Sequence, residues 1–507
     1  MLLWEAGRAG LASGQTDTNI TDATEPGNLK SIPAFPVMLW LISSSITYLR
    51  NWYLGLTSPS PQLLDLPHEI LFNICLHLDY QALTNTTQTC KKLRDITSSQ
   101  YFWKTLCAIL ESRPGFQQPL FEPDQKKSFD DLQRYTRNML RIHDGWLGPS
   151  SPQFRTRQVK SRFSWDSYEL LPGGRWLFGV LTDGRACILD LDAERPVNHV
   201  LLATFHPQDL TLSEFNILIK EDNHSSFLVA LYKKECWDNE STRICIYQVE
   251  QQIEPKIRFR ATSLAVIWDC PRGHIRSCVE LSERYIIQCC SLLNTDSDHT
   301  PVILQLRRYS KDPAVSEKYI EKQLADEGSA KAFLLPNDRL GVITWFSVEI
   351  YSIHETSNTA MPDLVLLHRI PADYNPSFSS RPFIGKNGIH LVGVYQDVVS
   401  RVVIDHDFAV PPIIKSIGSL KFKPSYSRSH TKFGPLVSVY FQGQNEIDIA
   451  TYDLSSACFL NFRRSRLNLS DCCNGGQVVT LAGLDDNRGR IVLKLNGGLN
   501  FLVMDLI

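Results

Sequence analysis

The sequence lacks an excess of either charge. Its 52 Lys and Arg stand against 54 Asp and Glu, a formal net charge of −2 over 507 residues. A nucleic-acid binder needs a clustered basic surface. Only short basic spots occur, such as Arg463-Arg464-Ser465-Arg466, and beside apolar runs they read as charges at a strand edge. No disulfide framework is visible either. The 13 cysteines are odd in number and scattered, with adjacent pairs at Cys289-Cys290 and Cys472-Cys473 and no CxxC or Cys/His spacing. This points to a reducing compartment and away from structural zinc. Catalytic signatures are equally missing: there is no GxxxxGK[ST], no GxGxxG after a strand, no HExxH and no GxSxG. His354, His368, His390 and His406 each fall at or near a strand and read as core or edge histidines. No catalytic residue, cofactor or metal ligand is therefore assigned, and the chain is expected not to be an enzyme.

The chain is too long for one small domain, so two or more are expected. Residues 1–30 are polar, and their composition predicts a disordered segment. Residues 31–60 form a region of uncertain role. Ser31 to Leu49 carries no charge and approaches the ~20 apolar residues of a membrane span. Pro33, Pro36 and Ser43-Ser44-Ser45 dilute it, and it lies too far from Met1 for a signal peptide. It is read as a segment packing on the module that begins near residue 61, or as a non-native extension, and not as a membrane anchor.

Residues 63–106 hold the main signal. Pro67 suits a first helical turn, because its fixed φ fits and its missing N–H has no partner there anyway. Glu69 in the same turn faces the positive end of the helix dipole. Ile70, Leu71, Phe72, Ile74, Cys75, Leu76 and Leu78 come next, with only Glu69, Asn73 and His77 as a polar stripe. A surface helix normally has one apolar stripe of ~100°. This one is apolar over most of its circumference and needs cover on two sides. Asp79 can cap a second helix with Ala82, Leu83 and Cys90; Leu93, Ile96, Tyr101-Phe102-Trp103 and Leu106 continue the apolar pattern. A module of ~45 residues buries too little surface to stand comfortably alone.

Leu66-Pro67, Glu69-Ile70-Leu71, Ile74, Leu78, Asp79, Leu83, Cys90 and Trp103-Lys104-Thr105-Leu106 fall in the order and spacing of an F-box, which this segment resembles over 61–108. Leu93 departs from the pattern, standing where the family often has an aromatic residue. The stretch from Ala82 to Thr89 is unusually rich in Thr and Asn. The resemblance implies an adaptor-binding surface built from Leu66, Pro67, Ile70, Leu71, Ile74, Leu78, Leu83 and Cys90. The partner it implies is a Skp-family adaptor and, through it, cullin and RING subunits.

Over 109–150 a linker helix is expected. Leu132, Tyr135, Met139, Ile142 and Trp146 recur at steps of three and four, which marks one helical face across 126–146. Arg134, Arg137 and Arg141 lie off that face, and Gly145, Gly148 and Pro149 are expected to stop the helix. From 154 to 507 the pattern changes to short strands. RWLFGVL (175–181) and ACILDLD (186–192) flank Asp183-Gly184, a hairpin signal. Similar strands recur to the last one, FLVMDLI (501–507), with turns such as Pro172-Gly173-Gly174 between them. A propeller blade takes roughly 40–50 residues, so six to eight blades are expected. The last strand is expected to pair within one blade with strands from the region Phe163–Leu191, with Phe501, Val503 and Leu506 facing the core. LLPGGRWLFG (170–179), DGRACILDL (183–191) and LDDNRGRIVL (484–493) resemble F-box proteins with propeller-like C-terminal regions that are abundant in fungi, in which a helix ending in Trp, here Trp146, precedes the first such strand.

The fold expected is therefore α+β and multidomain: a small all-α F-box and linker helix, then an all-β propeller-like domain. The resemblance implies the substrate-recognition subunit of an SCF-type ubiquitin ligase in the cytoplasm or nucleus, whose propeller binds an unknown target protein. The alternative is an F-box/β-propeller scaffold without ubiquitin transfer. No nucleic acid and no membrane are expected as partners.

Overall fold

The computed structural model describes residues 63–507 apart from short segments between elements, the longest being 202–213, 233–242 and 421–430. The predicted disordered segment 1–30, the apolar segment 31–49 and Cys472-Cys473 lie outside the described residues. The chain divides into two units, Met1–Pro67 and His68–Ile507. Of the first, residues 63–67 are described, with a single 3-10 turn at Leu63–Asp65.

Five helices open the second unit: α1 (His68–Leu76), α2 (Tyr80–Thr89), α3 (Lys91–Thr97), α4 (Gln100–Glu111) and α5 (Phe129–Leu147). Side-chain caps set their starts. Asp79 Oδ1 accepts from the Ala82 N–H at 2.6 Å, as its position predicts. Cys90 plays the same part with sulfur: its backbone is extended and its Sγ accepts from the Leu93 N–H at 3.5 Å. The second helix therefore ends at Thr89, and Leu93 and Ile96 fall in a helix of their own. Ser99 and Ser128 cap α4 and α5. Leu71, Cys75, Leu83, Leu93, Ile96, Phe102, Trp103 and Leu106 are buried. The Trp103 indole donates to the Thr97 carbonyl at 2.7 Å, which satisfies the one polar atom of the largest of these side chains.

The strands form seven four-stranded antiparallel sheets. In chain order the first six blades are β2 (Trp165–Leu170) to β5 (Asn198–Val200), β6 (Glu214–Ile219) to β9 (Arg258–Trp268), β10 (His274–Leu281) to β13 (Tyr319–Glu327), β14 (Lys331–Leu335) to β17 (Pro362–Pro371), β18 (Phe383–Gly385) to β21 (Ile413–Ser419), and β22 (Thr431–Phe433) to β25 (Arg463–Asn468). The seventh combines β26 (Val478–Asp485), β27 (Arg490–Leu495) and β28 (Asn500–Leu506) with β1 (Phe154–Lys160) from the start of the region. Second strands such as β3 (Trp176–Leu181) and β7 (Ser226–Tyr232) are buried along their whole length. They read as continuous apolar runs because each sheet is covered on both faces. Fourth strands such as β21, β25 and β1 are largely exposed and lie at the rim.

An apolar cluster fills each interface between successive blades, from the first to the second and on around to the seventh. A further cluster joins the seventh blade to the first, where Phe501 and Val503 meet Trp165, Leu177 and Leu189. The cycle of interfaces is complete, so this is a closed seven-bladed propeller.

The predicted pairing of the last strand needs correction. β28 pairs with β1, from Phe154↔Leu506 to Lys160↔Asn500, and not with strands of 163–191. That region begins the next blade and meets β28 by side-chain packing alone. β1 reads Phe-Arg-Thr-Arg-Gln-Val-Lys. A rim strand has one solvated face and one free edge, so it carries little of the apolar pattern that marks its neighbours. Phe501, Val503 and Leu506 are buried as expected. They serve two interfaces, since Phe501 and Val503 face the first blade while Leu502, Met504 and Leu506 face the sixth, as a period of two requires.

Candidate functional site

On α1 the buried residues are Leu71 and Cys75, one helical turn apart. At 100° per residue the apolar positions spread far to both sides of that line. Ile70 and Ile74 lie on one flank, Phe72 and Leu76 on the other, and Leu78 follows the end of the helix. The other helices cover only the middle of this arc: Ile74 stays 38% exposed, and Ile70, Phe72, Leu76 and Leu78 are half-buried. The second flank is extended by Tyr101 of α4, which is 71% exposed and stacks on Phe72 with ring centroids 5.4 Å apart. Ile109, two turns further along α4, is also exposed. In the first unit Leu63, Leu64 and Pro67 are exposed and Leu66 half-buried.

The eight residues predicted to contact an adaptor are therefore spread over several positions. Ile70 and Ile74 form one open flank of α1, Leu78 is half-buried just after that helix, and Leu66 and Pro67 lie in the first unit. Leu71 and Leu83 are turned into the helical core, and Cys90 caps α3 while remaining half-buried. Tyr101 is not among the eight, because the sequence pattern marks it only as part of an apolar closing run. Its signal is the run itself: three successive aromatic residues in a helix span about 200°, so Phe102 and Trp103 cannot both be buried with Tyr101 inside as well.

The helices are fixed to one face of the propeller, the face that carries the turns between first and second strands. The Gly115 N–H donates to the Ile384 carbonyl at 3.1 Å, and the Leu120 N–H to the Pro172 carbonyl at 2.9 Å. These acceptors sit on the fifth and first blades, three places apart in the ring. Five residues reach at most ~18 Å, so the chain from 115 to 120 takes the chord across the face and passes over the axial opening. Gly173 (φ +89°) belongs to the turn that receives it, and a Cβ there would meet Pro119 at 2.7 Å. Beyond the chord, Leu120 and Phe121 are buried between the first two blades, with Phe121 5.1 Å from the Phe259 ring.

α5 makes a second anchorage. Ile142 and Trp146 are part of the cluster between the sixth and seventh blades. A Cβ on Gly145 would strike Leu506 at 2.7 Å, so the glycine allows the helix to lie close to β28. Asp486, in the β26–β27 turn, is buried; its carboxylate accepts from the Leu436 N–H at 2.8 Å. Burial pushes its carboxyl up to about 7. His368 and His406 pair with the backbone carbonyls of Phe408 and Gly385, at 2.8 and 2.7 Å. Arg464 and Arg466, in the basic spot on β25, are both held by the buried Asp448. Among the described residues no helix is long and apolar enough to cross a membrane.

The F-box-like family model matches residues 63–109. A search of curated proteins finds no match. Among solved structures, the β-propeller domain of Cps50 (Swd1) from Myceliophteria thermophila matches 70% of this chain and 100% of its own, at 10% identity and a TM-score of 0.41. With an F-box-like match over the helices and a seven-bladed ring behind them, the chain is an F-box protein that carries a β-propeller.

Proposed function

We propose that this protein is the substrate-recognition subunit of an SCF-type ubiquitin ligase, acting in the cytoplasm or nucleus. The observation that carries the reading is the α1 arc, an F-box helix whose apolar surface exceeds what its own module covers. Both flanks are available to a Skp-family adaptor: Ile70 and Ile74 on one side, Phe72 and Tyr101 on the other. Through the adaptor the chain would join cullin and RING subunits. The propeller face opposite the helices carries the turns between second and third strands, where Phe346 is 61% exposed, and presents itself to a target protein. Such a receptor needs no catalytic side chain. It raises the effective concentration of target lysines near the conjugating enzyme. The two anchorages of the helices on the propeller suit that role, because they hold the adaptor side and the target side at a set distance.

Co-purification of the full chain with adaptor and cullin, then reconstituted ubiquitin transfer to captured proteins, tests the reading. Recovery of the adaptor without cullin, and without transfer, would favour a scaffold role. Failure to recover the adaptor at all would overturn both.

A further inference from the structure

At the propeller axis, polar side chains from six of the blades meet: Glu169, Asn216, Glu280, Lys331, Arg381 and Lys432. Arg381 shows that they share one channel. It precedes β18 of the fifth blade, yet it donates to the Ile217 carbonyl of the second blade at 3.2 Å and to Glu169 of the first at 3.3 Å. Both blades are three places away in the ring, so the guanidinium crosses the axis. It still keeps 42% of its side-chain surface open, and a guanidinium has five donors. Asn216 donates to Glu280 at 2.9 Å, and Lys331 donates to the Ser379 carbonyl at 2.5 Å.

Lys432 differs from the rest. It makes no hydrogen bond or ion pair among the described residues, and the carboxylate that acts on it, Glu169, is already engaged by Arg381. Lys432 therefore has no carboxylate of its own among the described residues. Burial pushes the Glu280 carboxyl up. Burial also pulls the Lys432 ammonium down, so an unmatched charge here is costly. An oxyanion beside Lys432 would supply the missing counter-charge.

We propose that the axial channel holds a binding site for a single oxyanion, a carboxylate or a phosphate, bound by Lys432 with Arg381 behind it. The chord from Gly115 to Leu120 passes over the mouth on the helical side, so the anion enters from the opposite face. It arrives free in solution or as the acidic side chain of a bound polypeptide. The site does not depend on adaptor binding.

The test is the melting temperature of the full chain, and the heat of binding, during titration with inorganic phosphate or with a short Glu-rich peptide against sodium chloride of equal ionic strength. A specific site gives a saturable rise for at least one of them. Phosphate alone identifies a free anion as the ligand, and tighter binding of the peptide identifies a polypeptide carboxylate. Lys432→Met should fold with a melting temperature at or above wild type and lose the saturable response, at least ~10-fold in apparent affinity. A wild-type response that is linear in salt, without saturable heat for either ligand, overturns the proposal whether or not the variant folds. So does a saturable response that Lys432→Met and Lys432→Gln both retain.

Discussion

The Trp146 indole N–H donates to the main-chain carbonyl of Asp486 at 2.8 Å, across 340 positions of chain. One bond joins the last turn of the linker helix to the turn that opens the closing blade. Trp146 is 1% exposed and lies among Ile142, Leu436 and Leu506 in the same cluster. The helix is therefore part of the interface between the sixth and seventh blades.

Trp146→Ala should cost ~3–5 kcal/mol, and the loss should fall on the junction. The measurement is limited proteolysis: cleavage between residues 147 and 154 should quicken, while adaptor capture through α1 persists. Trp146→Phe should be milder, losing mainly the bond to Asp486. Unchanged cleavage in Trp146→Ala would show that the helix is held elsewhere.

Asp486 should make stability depend on pH. Its carboxyl lies at about 7 in the fold against an ordinary 3.8. Between those values the folded chain keeps a proton that the unfolded chain has released. The stability carried by the neutral carboxyl is complete below about 4 and is lost as pH rises through about 7. Asp486→Asn keeps an oxygen for the Leu436 N–H and cannot ionise. Its melting temperature relative to wild type should climb across that window and level off above it; a difference that stays constant with pH would refute the assignment.

On the F-box, exposure separates docking from folding. Ile74→Ala and Tyr101→Ala should each weaken adaptor capture ~10-fold, about 1.4 kcal/mol, with little change in melting. Leu71→Ala empties the core and should cost the module ~2–5 kcal/mol. Leu66→Ala with Pro67→Ala should abolish capture and leave the propeller folded. Pull-down beside thermal melting checks all four, and wild-type capture by the last variant would remove these two residues from the surface.

Deleting residues 499–507 removes β28. This strips β1 of its partner and takes Phe501, Leu502, Val503 and Met504 out of two interfaces. Each such side chain is worth ~1.5–3 kcal/mol, and a domain holds only ~5–15 kcal/mol in total. The ion pairs of Arg490 and Arg157 with Asp505 go with them. The product should aggregate or be degraded, as size-exclusion chromatography would show. A monomer melting at the wild-type temperature would contradict closure through this strand.

Much of this molecule was determined by local pattern. The α1 arc, the Asp79 cap and the Asp183-Gly184 hairpin all rest on residues within a turn or two of one another, and each stands where its spacing placed it; on α5 Leu132, Ile142 and Trp146 are buried as spaced, while Tyr135 and Met139 are half-buried and Thr136 and Leu140 are buried beside them. The wholly buried second strands announced themselves as unbroken apolar runs. Other features belong to the tertiary structure alone. The blade count of seven depends on how sheets twist and pack around an axis, which no single strand encodes. β1 is polar because it lies at the rim, and its partner is 340 residues or more away. Leu71 and Ile74 are both apolar residues of one helix; only the placement of α3 and α4 decides that the first is core and the second is surface. Arg381 had no local mark at all, since its role comes from closing the ring until two opposite blades lie within reach of one side chain.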